Sequence, residues 1–139
     1  MKIILKENEN YLLRFDPGDE VLSLFKDFCK KENINSGSFT AIGATGEIII
    51  YYYDLDRKEY LEKILKERLE ITSLIGNIAH AEDDIIIHAH GTFAGPDCHA
   101  FGGHVKKLVV SATCELSLQT FKAKVEREQN EEVGLKLLK

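Results

Sequence analysis

With 139 residues the chain has the size of one domain, long enough to bury a core without disulfide or metal staples. Its composition, 44% hydrophobic and 29% charged, excludes a disordered, fibrous or repeat architecture. The formal charge is -5 and acidic and basic residues interleave, so no cationic footprint awaits a phosphate backbone and nucleic-acid binding starts at a disadvantage.

Ile3 to Leu5 and Tyr11 to Phe15 are apolar runs of strand length, and Asp16-Pro17-Gly18 after them signals a turn; together they predict a first hairpin. From Asp19 to Asn33, the residues Val21, Leu22, Phe25, Phe28 and Cys29 recur at three- and four-residue spacing and predict a helix. Asp19 or Asp16 is available as its N-cap, and Lys30-Lys31 stands favourably near its C-terminal end. Ser36-Gly37-Ser38 then punctuates the chain. Phe39 to Ala44 leads through Gly46 into Glu47 to Tyr53, rich in the β-branched and aromatic residues of strands. Gly43 and Gly46 within it mark a bulge or a close backbone approach.

Arg57 to Glu70 reads two ways. The spacing of Leu61, Ile64, Leu65 and Leu69 and the Lys and Glu content favour a helix, whereas Tyr60, Glu62, Ile64 and Leu65 also suit an exposed strand. Leu69 to His80, Asp84 to His90 and Lys106 to Phe121 predict strands, with Ile85-Ile86-Ile87 a buried-strand run. The charged stretch Lys122 to Gln129 follows, and Gly134 to Leu138 adds one short terminal strand. No fixed-period repeat, linker or domain boundary interrupts the chain, so a single domain of mixed α and β structure over 1–139 is expected.

Met1 to Lys6 lacks the apolar core and cleavage site of a signal peptide, and no apolar run approaches the roughly 20 residues of a bilayer span. Nor is there an amphipathic helix with a lysine and arginine face. A cytoplasmic protein without membrane partners is expected. Cys29, Cys98 and Cys114 are odd in number and lack CxxC spacing, so reduced thiols are expected, with Cys29 and Cys114 in the core.

The sharpest local signal is Ile85-Ile86-Ile87-His88-Ala89-His90. In a strand, His88 and His90 share one face roughly 6 to 7 Å apart, a geometry for two ligands on one ion. A third histidine follows a glycine pair in Phe101-Gly102-Gly103-His104; glycines permit a tight turn that delivers His104 beside the first two. Three imidazoles make zinc the natural candidate, with a fourth position left for water, an exogenous ligand or another protein group; nickel, copper and iron stay open. The competing reading is that His88 and His90 only hydrogen-bond at a core edge and that Gly102-Gly103 only makes a hairpin. His80, beside acidic Glu82, Asp83 and Asp84 in a turn, and His99, after Cys98 in a loop, are expected to be solvated, though Cys98 or His99 is near enough in sequence to add a ligand.

Other chemistry is weak. Gly43-Ala44-Thr45-Gly46 lacks phosphate-loop spacing, no GxGxxG or nucleophile elbow occurs, and Cys98-His99 has no third orienting residue. Glu70 and Glu115 are lone carboxylates in apolar strands, ordinarily solvent-facing and otherwise buried partners for an arginine or imidazole.

Phe39-Thr40-Ala41-Ile42-Gly43-Ala44, Leu69-Glu70-Ile71-Thr72-Ser73-Leu74-Ile75-Gly76-Asn77-Ile78, His88-Ala89-His90 and Gly102-Gly103-His104 occur in that order and spacing. In combination they resemble the plant and prokaryote conserved domain, the PPC family, which plants carry behind AT-hook DNA-binding motifs and bacteria and archaea mostly carry alone. The resemblance runs from about Tyr11 to Leu137. It implies an α+β fold with a largely antiparallel sheet flanked by a helix, a cyclic homotrimer, a strand rather than a helix over Arg57 to Leu65, and a metal at His88, His90 and His104. The Arg-Gly-Arg-Pro core of the AT-hook does not occur here, so the family's DNA-binding label does not transfer by itself.

Two classes of function follow. One is a trimeric metal-binding protein, an enzyme with a water on zinc or a sensor of a small ligand, with no identifiable general base beyond Glu70 and Glu115 as candidates. The other is a DNA-associated or protein-interaction module whose histidines are structural. A metal that merely cements the fold is the third possibility.

Overall fold

The computed structural model describes residues 1–82 and 84–139, and Asp83, expected in a turn, lies outside them. The expected first hairpin forms: β1 (Lys2–Glu7) pairs antiparallel with β2 (Asn10–Phe15), and alternation along β2 turns Tyr11, Leu13 and Phe15 into the core. The helix α1 (Val21–Lys31) is shorter at both ends than its apolar spacing suggested. Its N-cap is Glu20, not Asp19 or Asp16. Glu20 accepts from the backbone N–H groups of Leu22 (3.3 Å), Ser23 (2.8 Å) and Leu108 (3.0 Å), so one carboxylate caps the helix and ties it to the sheet. Asp19 is engaged elsewhere, by the Asp16 N–H (2.9 Å) and the Met1 amine (2.7 Å). Asn33 at φ 56° ends the helix, and the Ile34 N–H closes it on Cys29 O at 2.8 Å.

The remaining strands are β3 (Gly37–Asp54), β4 (Glu59–Leu65), β5 (Leu69–Ala81), β6 (Asp84–Ala94) and β7 (Ala100–Thr120). All pair antiparallel in the order β1-β2-β7-β6-β5-β3-β4, and a further β7–β3 pairing closes β3, β5, β6 and β7 into a ring. Closure requires β3 and β7 to bend, and their mutual register shifts at Gly43/Thr45, Thr45/Glu47 and Ile49/Ile50 supply the bends. At Gly43, with φ 151°, a Cβ would lie 2.1 Å from Thr113 O, so the close approach expected there is real, and the shift between Thr45 and Glu47 falls at Gly46.

Arg57 to Leu65 contains a strand, as the family resemblance implied and against local propensity. Nearly every residue of β4 is exposed; what holds it extended is hydrogen bonding to β3, with Tyr60 opposite Tyr53 and Ile64 opposite Ile49. The glycine pair is also corrected. Gly102 and Gly103 sit inside β7, neither at positive φ, and the reversal from β6 to β7 is made over Gly95 to His99 with Cys98 at φ 61°. Glycine is needed because a Cβ on Gly102 would meet Gly91 O at 2.3 Å and one on Gly103 would meet Tyr51 O at 2.8 Å. His80 lies in β5 rather than in a turn.

The ring encloses Leu74, Ile78, Ala89, Phe93, Val105 and Leu108, and α1 packs Val21, Phe25, Phe28 and Cys29 against it, Phe25 lying 5.0 Å from the Phe39 ring. Cys29 and Cys114 are buried, as expected, and Cys98 is exposed. The expected terminal strand is β9 (Leu135–Leu138), paired with β8 (Arg127–Asn130) in a separate two-stranded sheet. The strand β8 arises from a charged stretch with no strand signal. No helix among the described residues is long and apolar enough to cross a membrane.

Candidate metal centre

Along β6, alternation buries Ile85, Ala89 and Phe93 and turns Ile86, His88, His90 and Thr92 to the outer face of the ring. His104 stands directly opposite His90 across the β6–β7 pair. Directly opposed residues of neighbouring strands have close Cβ atoms on a shared face, so register alone brings the third imidazole to the first two. Ring centroids are 5.1 Å apart for His88 and His90, 5.2 Å for His88 and His104, and 5.3 Å for His90 and His104. One ring nitrogen from each lies within 4.8 Å of the other two. The sequence-based expectation of convergence therefore holds, by strand register instead of a glycine turn.

His88 and His104 are half-buried and His90 is exposed. Burial pushes the His88 imidazole down to about 4, with the Arg127 charge and then the other two rings adding to it. His104 is lowered for the same leading reason, followed by His90, Lys106 and Arg127. Both rings are neutral near pH 7, the state in which an imidazole offers a lone pair to a cation.

The surroundings come from distant parts of the chain. Tyr51 stacks parallel on His104 at 6.2 Å, Tyr60 lies 5.5 Å from the same ring, and the Tyr51 hydroxyl donates to Glu62 at 3.2 Å. From the C-terminal hairpin, Arg127 Nη2 lies 3.1 Å from His88 Nδ1 and donates to Asn77 Oδ1 at 2.8 Å. The hairpin is held over the site by the Tyr53 hydroxyl on Val133 O (2.8 Å), Lys58 on Glu131 O (2.7 Å) and the His80 N–H on Val125 O (2.8 Å).

The other candidates stand apart. His80 Nε2 bonds Asn35 Oδ1 at 3.1 Å, and His99 pairs with Asp97 at 3.1 Å in the exposed β6–β7 loop with Cys98. That loop begins beyond Ala94 and Ala100, the last pair of the β6–β7 ladder, with His90 and His104 at its other end. Glu70 and Glu115 are exposed and off the site: Glu70 lies opposite Ala94, and Glu115 opposite Arg14. Arg127, Tyr51, Tyr60 and Asn77 carried no signal in sequence, because each reaches the histidines only through strand pairing or the hairpin.

The profile of the Plants and Prokaryotes Conserved (PCC) domain matches residues 5–122. A structure from Bacteroides thetaiotaomicron VPI-5482, whose name assigns it provisionally to DNA binding, is 27% identical over 97% of this chain and 94% of that chain, with a TM-score of 0.94. A metal-containing protein from Archaeoglobus fulgidus is 33% identical over 99% of both chains, with a TM-score of 0.88. A plant- and prokaryote-conserved (PPC) protein from Pyrococcus horikoshii is 32% identical over 95% of this chain and 92% of that one, with a TM-score of 0.87. No curated protein sequence matches the chain. The matched span contains all four sequence blocks and all three histidines of the cluster, and the chain belongs to the Plants and Prokaryotes Conserved domain family.

Proposed function

We propose that this chain, one PCC domain over 1–139, is a metal-binding protein in which His88, His90 and His104 hold a divalent ion, and that zinc fits the site best. The observation that carries this reading is the trio of imidazoles with one nitrogen of each within 4.8 Å of the others. Around zinc at about 2.1 Å from each nitrogen the spacing contracts to about 3.4 Å, a change that side-chain rotation supplies. The name of the Archaeoglobus relative as a metal-containing protein supports the same reading. Three protein ligands leave a fourth position, at which a bound ion offers either an activated water or a seat for an exogenous ligand.

Elemental analysis tests this on protein stripped with chelator and reloaded with zinc. Wild type is expected to retain one equivalent per chain, and His88→Ala, His90→Ala and His104→Ala each lose it. No metal in wild type overturns the reading. A melting temperature that chelator leaves nearly unchanged assigns the ion to an open site, and a large drop assigns it to holding the fold.

The assembly belongs to the same proposal: a homotrimer, cytoplasmic, with no membrane partner. Ile42, Ile75 and Tyr52 are 60%, 54% and 69% exposed, and Ile75 adjoins His90 across β5 and β6, apolar surface suited to a second copy. Light scattering on a sizing column should give three times the 15.7 kDa of the chain. The provisional assignment in the Bacteroides relative's name supplies a second reading, DNA association, which the charge of -5 opposes. Duplex binding at moderate salt that survives loss of the histidines favours it over the first.

A further inference from the structure

The hairpin residue Arg127 is over-supplied with donors. Its Nη1 donates to Lys136 O at 3.0 Å, its Nη2 serves Asn77 and faces His88, and its Nε is buried with no partner. Among the described residues no carboxylate pairs with it. Its acidic neighbours are taken by lysines, Glu126 by Lys124 at 2.8 Å and Glu128 by Lys139 at 3.6 Å. A half-buried guanidinium that touches His88, lines one cavity with His104 and has no counter-ion is an arrangement that asks for an anion.

The contact with His88 sharpens this. A guanidinium only donates, so His88 Nδ1 accepts, and the proton of the neutral ring sits on Nε2. In that state the ring has no free lone pair. For His88 to ligate an ion through Nε2, the proton must move to Nδ1; to ligate through Nδ1, that atom must turn to the ion. Either way Arg127 Nη2 loses one of its two acceptors and keeps only Asn77 Oδ1. The loaded site then holds a dication and a guanidinium, with three neutral imidazoles and no carboxylate in the cluster. Like charges that close repel through a half-buried medium, and an anion between them relieves both.

A cavity of about 270 Å³ opens at this point, with His88, His104 and Arg127 on its wall beside Tyr60, Ile86, Leu135 and Leu137. Lys136 also borders it, but its ammonium is bonded to Glu82 at 2.9 Å. One guanidinium without a counter-ion suits the planar fork of a carboxylate better than a phosphate, which gathers several donors, and the apolar wall suits a short hydrocarbon chain. Resting on the metal reading above, we propose that this cavity takes a small organic carboxylate. Its head group is shared between Arg127 and the ion, and its hydrocarbon part lies against Ile86, Leu135 and Leu137.

Cobalt(II) in place of zinc gives a visible spectrum that reports on the fourth position. Titrating cobalt-loaded protein with isovalerate is expected to shift that spectrum saturably, while the isosteric amide, isovaleramide, does not. Arg127→Gln should retain one equivalent of cobalt and bind isovalerate at least tenfold more weakly, with Arg127→Lys in between. Ile86→Asp, which adds a negative charge to the cavity wall and replaces none of the three histidines, should weaken it comparably and guards against a folding defect in the arginine variants. Equal response to the amide, or undiminished binding in both Arg127→Gln and Ile86→Asp, overturns the proposal. Stoichiometric cobalt with no response to isovalerate overturns it and leaves the metal reading standing, whereas no cobalt uptake overturns both.

Discussion

The two faces of β6 share one backbone and answer to different constraints. Inward, Ile85, Ala89 and Phe93 are sealed inside the ring, where every atom touches another and volume is tightly specified. Outward, Ile86, His88 and Thr92 are partly buried and His90 is exposed, and a hairpin that arrives from the far end of the chain borders Ile86 and His88. The inner face therefore holds the strand in place, and the outer face is free to carry side chains chosen for chemistry. The packed core and the proposed metal site are separated by a single step along the strand.

The largest expected effect that tests this separation is on the inner face. Phe93→Ala, at a position with no exposure, should cost about 3 to 5 kcal/mol in denaturant unfolding, while the folded fraction keeps its metal stoichiometry. Loss of the metal from folded Phe93→Ala protein would break the separation. Next is Gly102→Ala, whose Cβ must push against the Gly91 carbonyl: about 1 to 3 kcal/mol of stability is expected to go, together with the His90–His104 alignment that this part of the ladder maintains. A neutral outcome in both stability and metal uptake would mean that the ladder tolerates displacement there.

On the outer face, His90→Ala in metal-free protein should change stability by no more than about 0.5 kcal/mol although it removes a proposed ligand, since the side chain is exposed. A cost several times larger would give that histidine a structural role. The smallest effect concerns Asp84 at the start of β6, paired with Lys26 at 2.5 Å and Lys30 at 3.0 Å from α1. Hydrogen bonding to Lys26 and then Lys30 holds its carboxyl down at about 2, below the ordinary 3.8. The folded state thus prefers the charged form, so this contribution is present above pH 3.8 and is lost as pH falls through about 2. Thermal melts from pH 5 to 2 should show a slightly steeper acid decline in wild type than in Asp84→Asn, small because the carboxylate is half exposed. Parallel curves would remove the ion pairs from the acid response.

Much of this was legible beforehand wherever the determining interactions are local. The α1 helix was visible in its three- and four-residue spacing, and the shared face of His88 and His90 follows from the two-residue period of any strand. The helix cap was misread because a longer acidic side chain, Glu20, reaches both the helix start and the Leu108 amide, a choice that depends on where β7 passes. The β4 segment misled local propensity for a related reason: its hydrogen bonds are supplied by β3 and no count of its own residues contains them. The glycine pair was read for conformational freedom when what mattered was the absence of a side chain, where β7 runs close to the backbones of β6 and β3.

By itself, then, the amino-acid sequence determined the period of each element, the residues facing inward, and the family through four short blocks in a set order. Tertiary structure alone decided that His104 stands opposite His90, that Arg127 and Tyr60 border the histidines, and that a cavity opens between them. The physical reason is separation along the chain. Arg127 is 39 residues from His88, and what joins them is a path of strand pairings and a docked hairpin, which no local pattern encodes.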